Sequence, residues 1–205
     1  MWNNMAGKIV ALFVEGDTEI EFYKAVVNYV HEKTGTPFDC GIKYLNMKGI
    51  GNYKKIALKK YNDLVKKNPD KIIYPFMCID NDVFAFSKKP PFNKKELEKL
   101  FKEENATKPT FIVAHESIER WFLYDLPGVL SYLNLKKNTK CPKGTGQDAL
   151  KALFRKANKL YIKGNKTEGF IEKLDISKIM KKCCTEIAPL CTALKIDCAC
   201  VCGKK

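Results

Sequence analysis

Apolar runs and segments of helical periodicity alternate along the first 125 residues. Four short runs rich in β-branched and aromatic residues predict strands. These runs cover residues 8–14, 38–46, 72–79 and 110–114. Between them, apolar residues recur every three or four positions, which predicts helices. The helices cover residues 17–31, 53–67 and 94–105, and a further one opens at residues 115–117. This order predicts an α/β fold with a mostly parallel sheet flanked by helices.

The pattern changes from about Leu126. Helical segments near residues 129–133, 147–160 and 176–194 are separated by turns rich in lysine, glycine and asparagine. We therefore predict an α/β domain over residues 1–125 and, packed on it, a helical extension over residues 126–205 with a cysteine-rich tail.

Hydropathy predicts neither a membrane span nor a secretory signal. No run of 18 or more apolar residues is present, and the first residues lack the apolar stretch of a signal peptide. We therefore expect a cytoplasmic protein.

Acidic residues follow two of the predicted strands. Glu15 comes directly after the first strand, and Asp80 and Asp82 come at the end of the third. Carboxyl ends of parallel strands line the ligand crevice of an open sheet, so these side chains should converge. Asp80 and Asp82 would point to the same side if the chain stayed extended there. Converging carboxylates need a cation, and oxygen ligands suit Mg²⁺ or Mn²⁺.

Each acidic residue also has an alternative structural explanation. Asp80 and Asp82 fit a turn that closes a strand, and Glu15 fits a helix start. Glu119 could complete a second metal site, hold a basic side chain or lie on the helix surface, and Glu116 is a further candidate. His115 could transfer a proton or serve as a hydrogen-bonded structural residue.

The net charge favours a polyanionic partner, with a lysine-rich, solvated surface as the alternative explanation. Lysine and arginine number 37 against 23 aspartate and glutamate residues, which leaves a net charge of +14. Nucleic acid is the first candidate, although arginine, the better base and phosphate reader, occurs only at Arg120 and Arg155.

Several residues could contact that polyanion. Lys48, Lys54, Lys55 and Lys143 stand near glycine segments that could approach phosphate or could be only turns. Aromatic residues near the crevice could stack on bases or simply pin their loops. These are Tyr53, Phe84, Phe86 and Phe92. Gly16 could let a phosphate approach the backbone behind Glu15.

The nine cysteines do not match a zinc site. Six of them cluster after residue 182, without CxxC spacing or a histidine pair. Adventitious metal binding or oxidation is the expected consequence.

Several segments together resemble the TOPRIM family, the catalytic fold shared by topoisomerases and primases. The segment FVEGDTEIEFY, Phe13 to Tyr23, is followed by the Asp80–Asp82 pair and by SIERWFLYD, Ser117 to Asp125. These segments are similar to small stand-alone TOPRIM-like proteins, related to overcoming-lysogenization-defect nucleases and to the TOPRIM subunit of the PARIS phage-defence system. Stretches around Pro142, Tyr161 to Lys163 and Cys184 to Leu194 also resemble their helical regions.

The resemblance implies a Mg²⁺-dependent endonuclease that cleaves DNA or RNA, tRNA included, in defence against phage or mobile elements. It implies Glu15, Asp80 and Asp82 as metal ligands, with Glu119 as a further catalytic residue. Two alternatives stay open: a non-catalytic or partner-silenced effector subunit, and primase-type nucleotidyl transfer. A separate ATPase subunit would be the partner of a silenced form, and a homodimer is compatible with the family.

Overall fold

Four parallel strands form one sheet in the computed structural model, which describes residues 7–35, 37–85 and 90–203. The strands are β1 Lys8–Val14, β2 Gly41–Asn46, β3 Ile72–Asp80 and β4 Thr110–Ala114, in the spatial order β2-β1-β3-β4. The central strand β1 pairs Val14 with Asn46 on one side and Phe13 with Met77 on the other. The predicted α/β fold with a parallel sheet flanked by helices is confirmed.

Helices follow each strand and fill the C-terminal part. Those before β4 are α1 Asp17–Thr34, α2 Tyr53–Lys67, α3 Asp82–Ala85 and α4 Lys94–Glu103. Those after β4 are α5 Ile118–Phe122, α6 Leu126–Tyr132, α7 Gly146–Lys156, α8 Ile176–Lys182, α9 Cys184–Ala193 and α10 Cys198–Cys202. Across the described parts of the chain, no helix combines the length and apolar character needed to cross a membrane.

Some predicted boundaries were wrong. Helix α1 continues three residues past His31, to Thr34, and Gly35, with a φ of 63°, ends it. The second strand starts at Gly41 rather than at Phe38, because the chain bends at residues 39 and 40. The helix predicted over residues 176–194 is two helices, since the backbone at Cys183, with φ −104° and ψ 22°, leaves helical geometry.

Both faces of the sheet are buried, as the apolar character of β1 requires. Even-numbered residues of β1, Val10 to Val14, pack with α1 and with the helices after β4. Odd-numbered residues, Ile9 to Phe13, pack with α2 and α4. The helices after Leu126 thus share one hydrophobic core with α1, and the carboxyl ends of the strands remain as the edge where polar groups can meet.

Candidate active site

Two buried carboxyl groups lie at neighbouring strand ends. Glu15 follows β1 with 7% of its surface exposed, and Asp80 ends β3 with 3% exposed. Asp80 Oδ1 accepts a hydrogen bond from the Ile118 amide at 2.9 Å, which fixes the carboxyl group against the start of α5. Glu15 Oε1 is buried without a hydrogen-bond partner. Parallel strand pairing therefore places these two acids side by side.

Two further buried acids come from the helices that follow. Glu19, one turn into α1, accepts a hydrogen bond from the Gly16 amide at 2.6 Å. Glu119, in α5, is fully buried and accepts a hydrogen bond from the Tyr161 hydroxyl at 3.1 Å, while its Oε2 has no partner. Together Glu15, Glu19, Asp80 and Glu119 form what we call the acidic cluster.

A lysine from the C-terminal part enters this cluster. Lys163 Nζ lies 2.5 Å from Asp80 Oδ2 and 3.8 Å from Glu15 Oε2. It is carried by residues 158–165, here called the strap. The strap is docked on α1, because the Asp17 amide donates to Gly164 O at 2.7 Å and the Thr18 hydroxyl donates to Asn165 O.

Burial dominates the electrostatics of the cluster. Removal from water raises the pKa of Asp80 to about 8, although the Lys163 charge opposes this shift. Burial likewise raises the pKa of Glu15 and of Glu19. Burial acts to lower the pKa of Lys163, but the attraction of Asp80 and Glu15 outweighs it and raises the pKa, so the lysine stays charged. If all four carboxyl groups were ionised, one ammonium group would not balance their charge.

A cavity of about 700 Å³ opens beside the cluster. Glu15, Asp82 and Lys163 line it on the side of the acids, and Lys48 and Gln147 contribute elsewhere on its wall. Its volume is in the range of pockets that bind small ligands or one unit of a polymer. Glu15 and Lys163 line the cavity and also contact each other in the acidic cluster, so the cavity is continuous with the cluster.

The chain is not extended from Asp80 to Asp82, so the condition under which the two side chains would point to the same side is not met. The strand ends at Asp80, the Asn81 amide donates to Ala114 O, and Asp82 begins α3. Asp82 is half-buried, and its Oδ1 accepts a hydrogen bond from the Val83 amide at 2.6 Å. Because the backbone turns between the two residues, Asp82 reaches the cavity edge and Asp80 the buried cluster.

The acids have the oxygen donors that a hard divalent cation prefers, but their side chains are not arranged as a metal site. Within residues 7–35, 37–85 and 90–203, no three acidic, histidine or cysteine side chains are grouped to hold a metal ion. The donor set is nevertheless all oxygen, and Glu15 and Glu119 each have one buried carboxyl oxygen without a hydrogen-bond partner. Binding such an ion requires Lys163 to move from its position against Asp80 and Glu15.

The predicted candidates Glu116 and His115, and Asp125 at the end of the SIERWFLYD segment, lie outside the acidic cluster. Glu116 accepts hydrogen bonds from Arg120 Nε at 2.7 Å and from the Gly146 amide, and so ties α5 to the start of α7. His115 is exposed on the surface. Asp125 is buried away from the cluster and accepts a hydrogen bond from the Asp175 amide at 2.8 Å.

The predicted basic residues are exposed, and one of them lines the cavity. Lys48 does so, whereas Lys54 pairs with Glu96 at 2.9 Å. Lys55 and Lys143 are exposed. The glycine turn after Lys48 differs from an open phosphate cradle, because the Lys48 amide donates to Asn46 Oδ1 and the Gly49 amide donates to Glu15 O.

The aromatic residues proposed to stack on bases are mostly core residues. Tyr53 is fully buried, and its hydroxyl donates to Phe13 O at 3.0 Å and Cys78 O at 2.5 Å. Its ring stacks on Phe92 at a centroid distance of 5.6 Å, and Phe84 packs on Phe92 in turn. Phe86 lies outside the described residues.

Glu19, Tyr161 and Lys163 were missed as site residues. Glu19 had a local signal, since it stands four residues after Glu15 and a helix beginning at Asp17 brings its first turn back towards the strand end. Tyr161 and Lys163 had no local signal that marks them as site residues, because they lie about 80 residues after Asp80 in a segment without regular structure.

Gly16 lets the strap approach α1 closely. A Cβ atom on Gly16 would lie 2.3 Å from the Gly164 backbone. We expect Gly16→Ala to lower the free energy of unfolding by about 1–3 kcal/mol through this clash, measured by urea titration. Gly51→Ala is the matched control, because a Cβ there meets nothing within 4 Å. Equal stability of the two variants would contradict the docking.

Comparison with known proteins identifies no relative: no family model, curated protein or solved structure matches the chain. A functional assignment therefore has to come from the site itself.

Proposed function

We propose that this protein is a Mg²⁺- or Mn²⁺-dependent endonuclease of TOPRIM type that cleaves phosphodiester bonds in DNA or RNA. The observation that carries the proposal is the acidic cluster itself. It lies at the carboxyl ends of β1 and β3 and borders a cavity large enough for a nucleotide unit. A purely structural role would not need buried carboxyl oxygens without partners on Glu15 and Glu119.

Glu15 and Asp80 would hold the ion, with Asp82 at the cavity edge as the third acidic ligand. The bound ion would supply Lewis-acid polarisation of the scissile phosphate. Glu119 has one oxygen that accepts a hydrogen bond from Tyr161 and one without a partner. The partnerless oxygen could contact the ion or Lys163.

Lys163 has the properties of a phosphate ligand. Its pKa is raised by Asp80 and Glu15 against the effect of burial, so it remains a cation and does not act as a base. A phosphate entering the cavity would meet this charge and that of Lys48. The two lysines thus offer the substrate the positive charge that the acids alone would repel.

In the cell, the protein would act in the cytoplasm on phage or mobile-element nucleic acid. The excess of lysine favours a polyanionic substrate over a small neutral one.

The test is cleavage by the purified chain of plasmid DNA, single-stranded DNA and total tRNA, with Mg²⁺, Mn²⁺ or EDTA. We expect cleavage of at least one polymer with metal and none with EDTA. Lys48→Ala should weaken binding of that polymer. It should also reduce the slope of log affinity against log salt by about 1, the effect of losing one phosphate contact. Lys66→Ala, exposed at the far end of α2, is the control and should alter binding less.

A partner-regulated form of the same enzyme has its own supporting observation. Leu160 is 75% exposed and Ile162 is 49% exposed, and both belong to the strap that carries Lys163. A partner protein that covers this apolar pair would act directly on the residue that contacts Asp80 and Glu15. Absence of cleavage together with Mn²⁺ binding by calorimetry would favour this silenced form, whereas absence of both would reject the metal site.

A further inference from the structure

We propose that Cys184 and Cys198 form a reversible disulfide when the protein meets a peroxide or a small-molecule disulfide. The two sulfur atoms lie 3.3 Å apart, with both residues as thiols. A disulfide bond is about 2.04 Å long, so closing it requires a movement of little more than an ångström. This inference is independent of the proposed nuclease activity.

Backbone contacts hold the two residues together. Cys198 Sγ donates to Cys184 O at 3.3 Å, and Cys184 Sγ contacts Cys198 O at 3.8 Å. The pair thus joins the beginning of α10 to the beginning of α9, which are 14 residues apart in sequence. Such reciprocal contacts keep the two sulfur atoms within reaction distance.

Neighbouring thiols are less suited to the reaction. Cys183 is fully buried and its thiol donates to Ile179 O at 3.2 Å, within α8. Cys191 also lies near Cys198, but it is 1% exposed and burial raises the pKa of its thiol, which disfavours the reactive thiolate. Cys198 is half-buried, so solvent-borne oxidants reach it more readily than they reach these two.

The chemistry balances with hydrogen peroxide as oxidant. The Cys198 sulfur attacks peroxide, the O–O bond breaks, and a sulfenic acid and one water form. The Cys184 thiol then attacks that sulfur, the S–O bond breaks, and a second water leaves with the Cys184 proton. Two thiols are oxidised by two electrons as one peroxide is reduced to two waters. A dithiol reductant reverses the step by exchange.

The bond would fix the helical layer that covers α1. Helix α10 is held to α1 by the Tyr29 hydroxyl, which donates to Val201 O at 3.1 Å. A covalent link from α10 to α9 closes a short loop and restricts the unfolded chain. We therefore expect the oxidised protein to melt roughly 5–10 °C higher than the reduced protein.

The test uses the full chain, purified with reductant, freed of it, and treated with hydrogen peroxide or oxidised glutathione. Remaining thiols are alkylated, and tryptic peptides are mapped without reduction. Trypsin places Cys184 in the peptide 183–195 and Cys198 in the peptide 196–204, so fragmentation of the linked pair identifies the bonded residues. We expect a Cys184–Cys198 link that dithiothreitol removes, with the melting temperature returning to the reduced value.

Variants separate the pair from its neighbours. Cys184→Ser and Cys198→Ser should each lose the link and the gain in melting temperature, whereas Cys191→Ser and the exposed Cys141→Ser should keep both. The reduced forms of all four are melted in parallel, so a folding defect is recognised. A link from Cys184 to Cys200 or Cys202, oxidation that stops at sulfinic acid, or protection of the thiols by one equivalent of Zn²⁺ would overturn the proposal.

Discussion

Replacement of Asp80 by asparagine is expected to abolish metal-dependent cleavage, by about 1,000-fold or more, while the protein stays folded. The asparagine side chain would keep an oxygen to accept the Ile118 amide, so the start of α5 should remain in place. It would lose the negative charge next to Lys163 and would present a poor metal ligand. Cleavage kinetics with the active polymer measure the loss of activity, and calorimetry with Mn²⁺ measures the loss of metal binding. Glu15→Gln should reproduce both losses.

Asp125→Asn is the control for loss of a buried carboxylate as such. Asp125 is as buried as Asp80, with 2% exposed, but its oxygens contact the Asp175 amide and Lys178 rather than residues of the acidic cluster. This variant should cleave at close to the native rate under conditions where it is folded. Cleavage by Asp80→Asn at the rate of the native protein would show that the acidic cluster is not the reaction centre.

Lys163→Met should lower the free energy of unfolding of the metal-free protein by about 3 kcal/mol at pH 8. Lys163 has a side chain 21% exposed and contacts two carboxyl groups that are almost fully buried, so its removal leaves their charge without compensation. Urea titration in EDTA measures the loss.

This effect should shrink as the pH falls. A carboxyl group whose pKa is raised on folding, as for Asp80 at about 8 against an ordinary 3.8, stabilises the fold fully below the ordinary value and loses that contribution as the pH rises through the raised one. Without Lys163 the raised pKa values rise further. The native chain should therefore lose stability from about pH 4 to pH 8, and the variant should lose more over the same interval.

Lys166→Met is the matched comparison, just beyond the strap. Lys166 pairs with Glu21 at 3.2 Å, but its side chain is 59% exposed. An exposed ion pair contributes at most about 1 kcal/mol, so this variant should show a small loss and little added pH dependence. If Lys163→Met were as stable as the native chain at pH 8, the lysine would not be neutralising the cluster.

The sheet and its surrounding helices could be predicted because their signals are local. The residues of β1 are apolar on both faces, and α2 and β4 begin and end where periodicity places them. Glu15 and Asp80 were found for the same reason, since the end of an apolar run marks the edge of a parallel sheet. The extended geometry considered for Asp80 and Asp82 does not occur, because the strand ends at Asp80 and a pair spaced by two shares a side only while the strand continues.

What the sequence determined by itself is the parallel sheet, the helices that flank it and the position of two acids at strand ends. Hydrophobic periodicity and strand termination are properties of a few consecutive residues. Only the tertiary structure decided that Lys163 and Tyr161 meet those acids, because docking of the strap depends on close approach of Gly16 and Gly164. The local sequence pattern does not predict that contact. On the strap the apolar Leu160 and Ile162 are exposed, whereas the charged Lys163 points inward, because it pairs with the buried carboxyl group of Asp80.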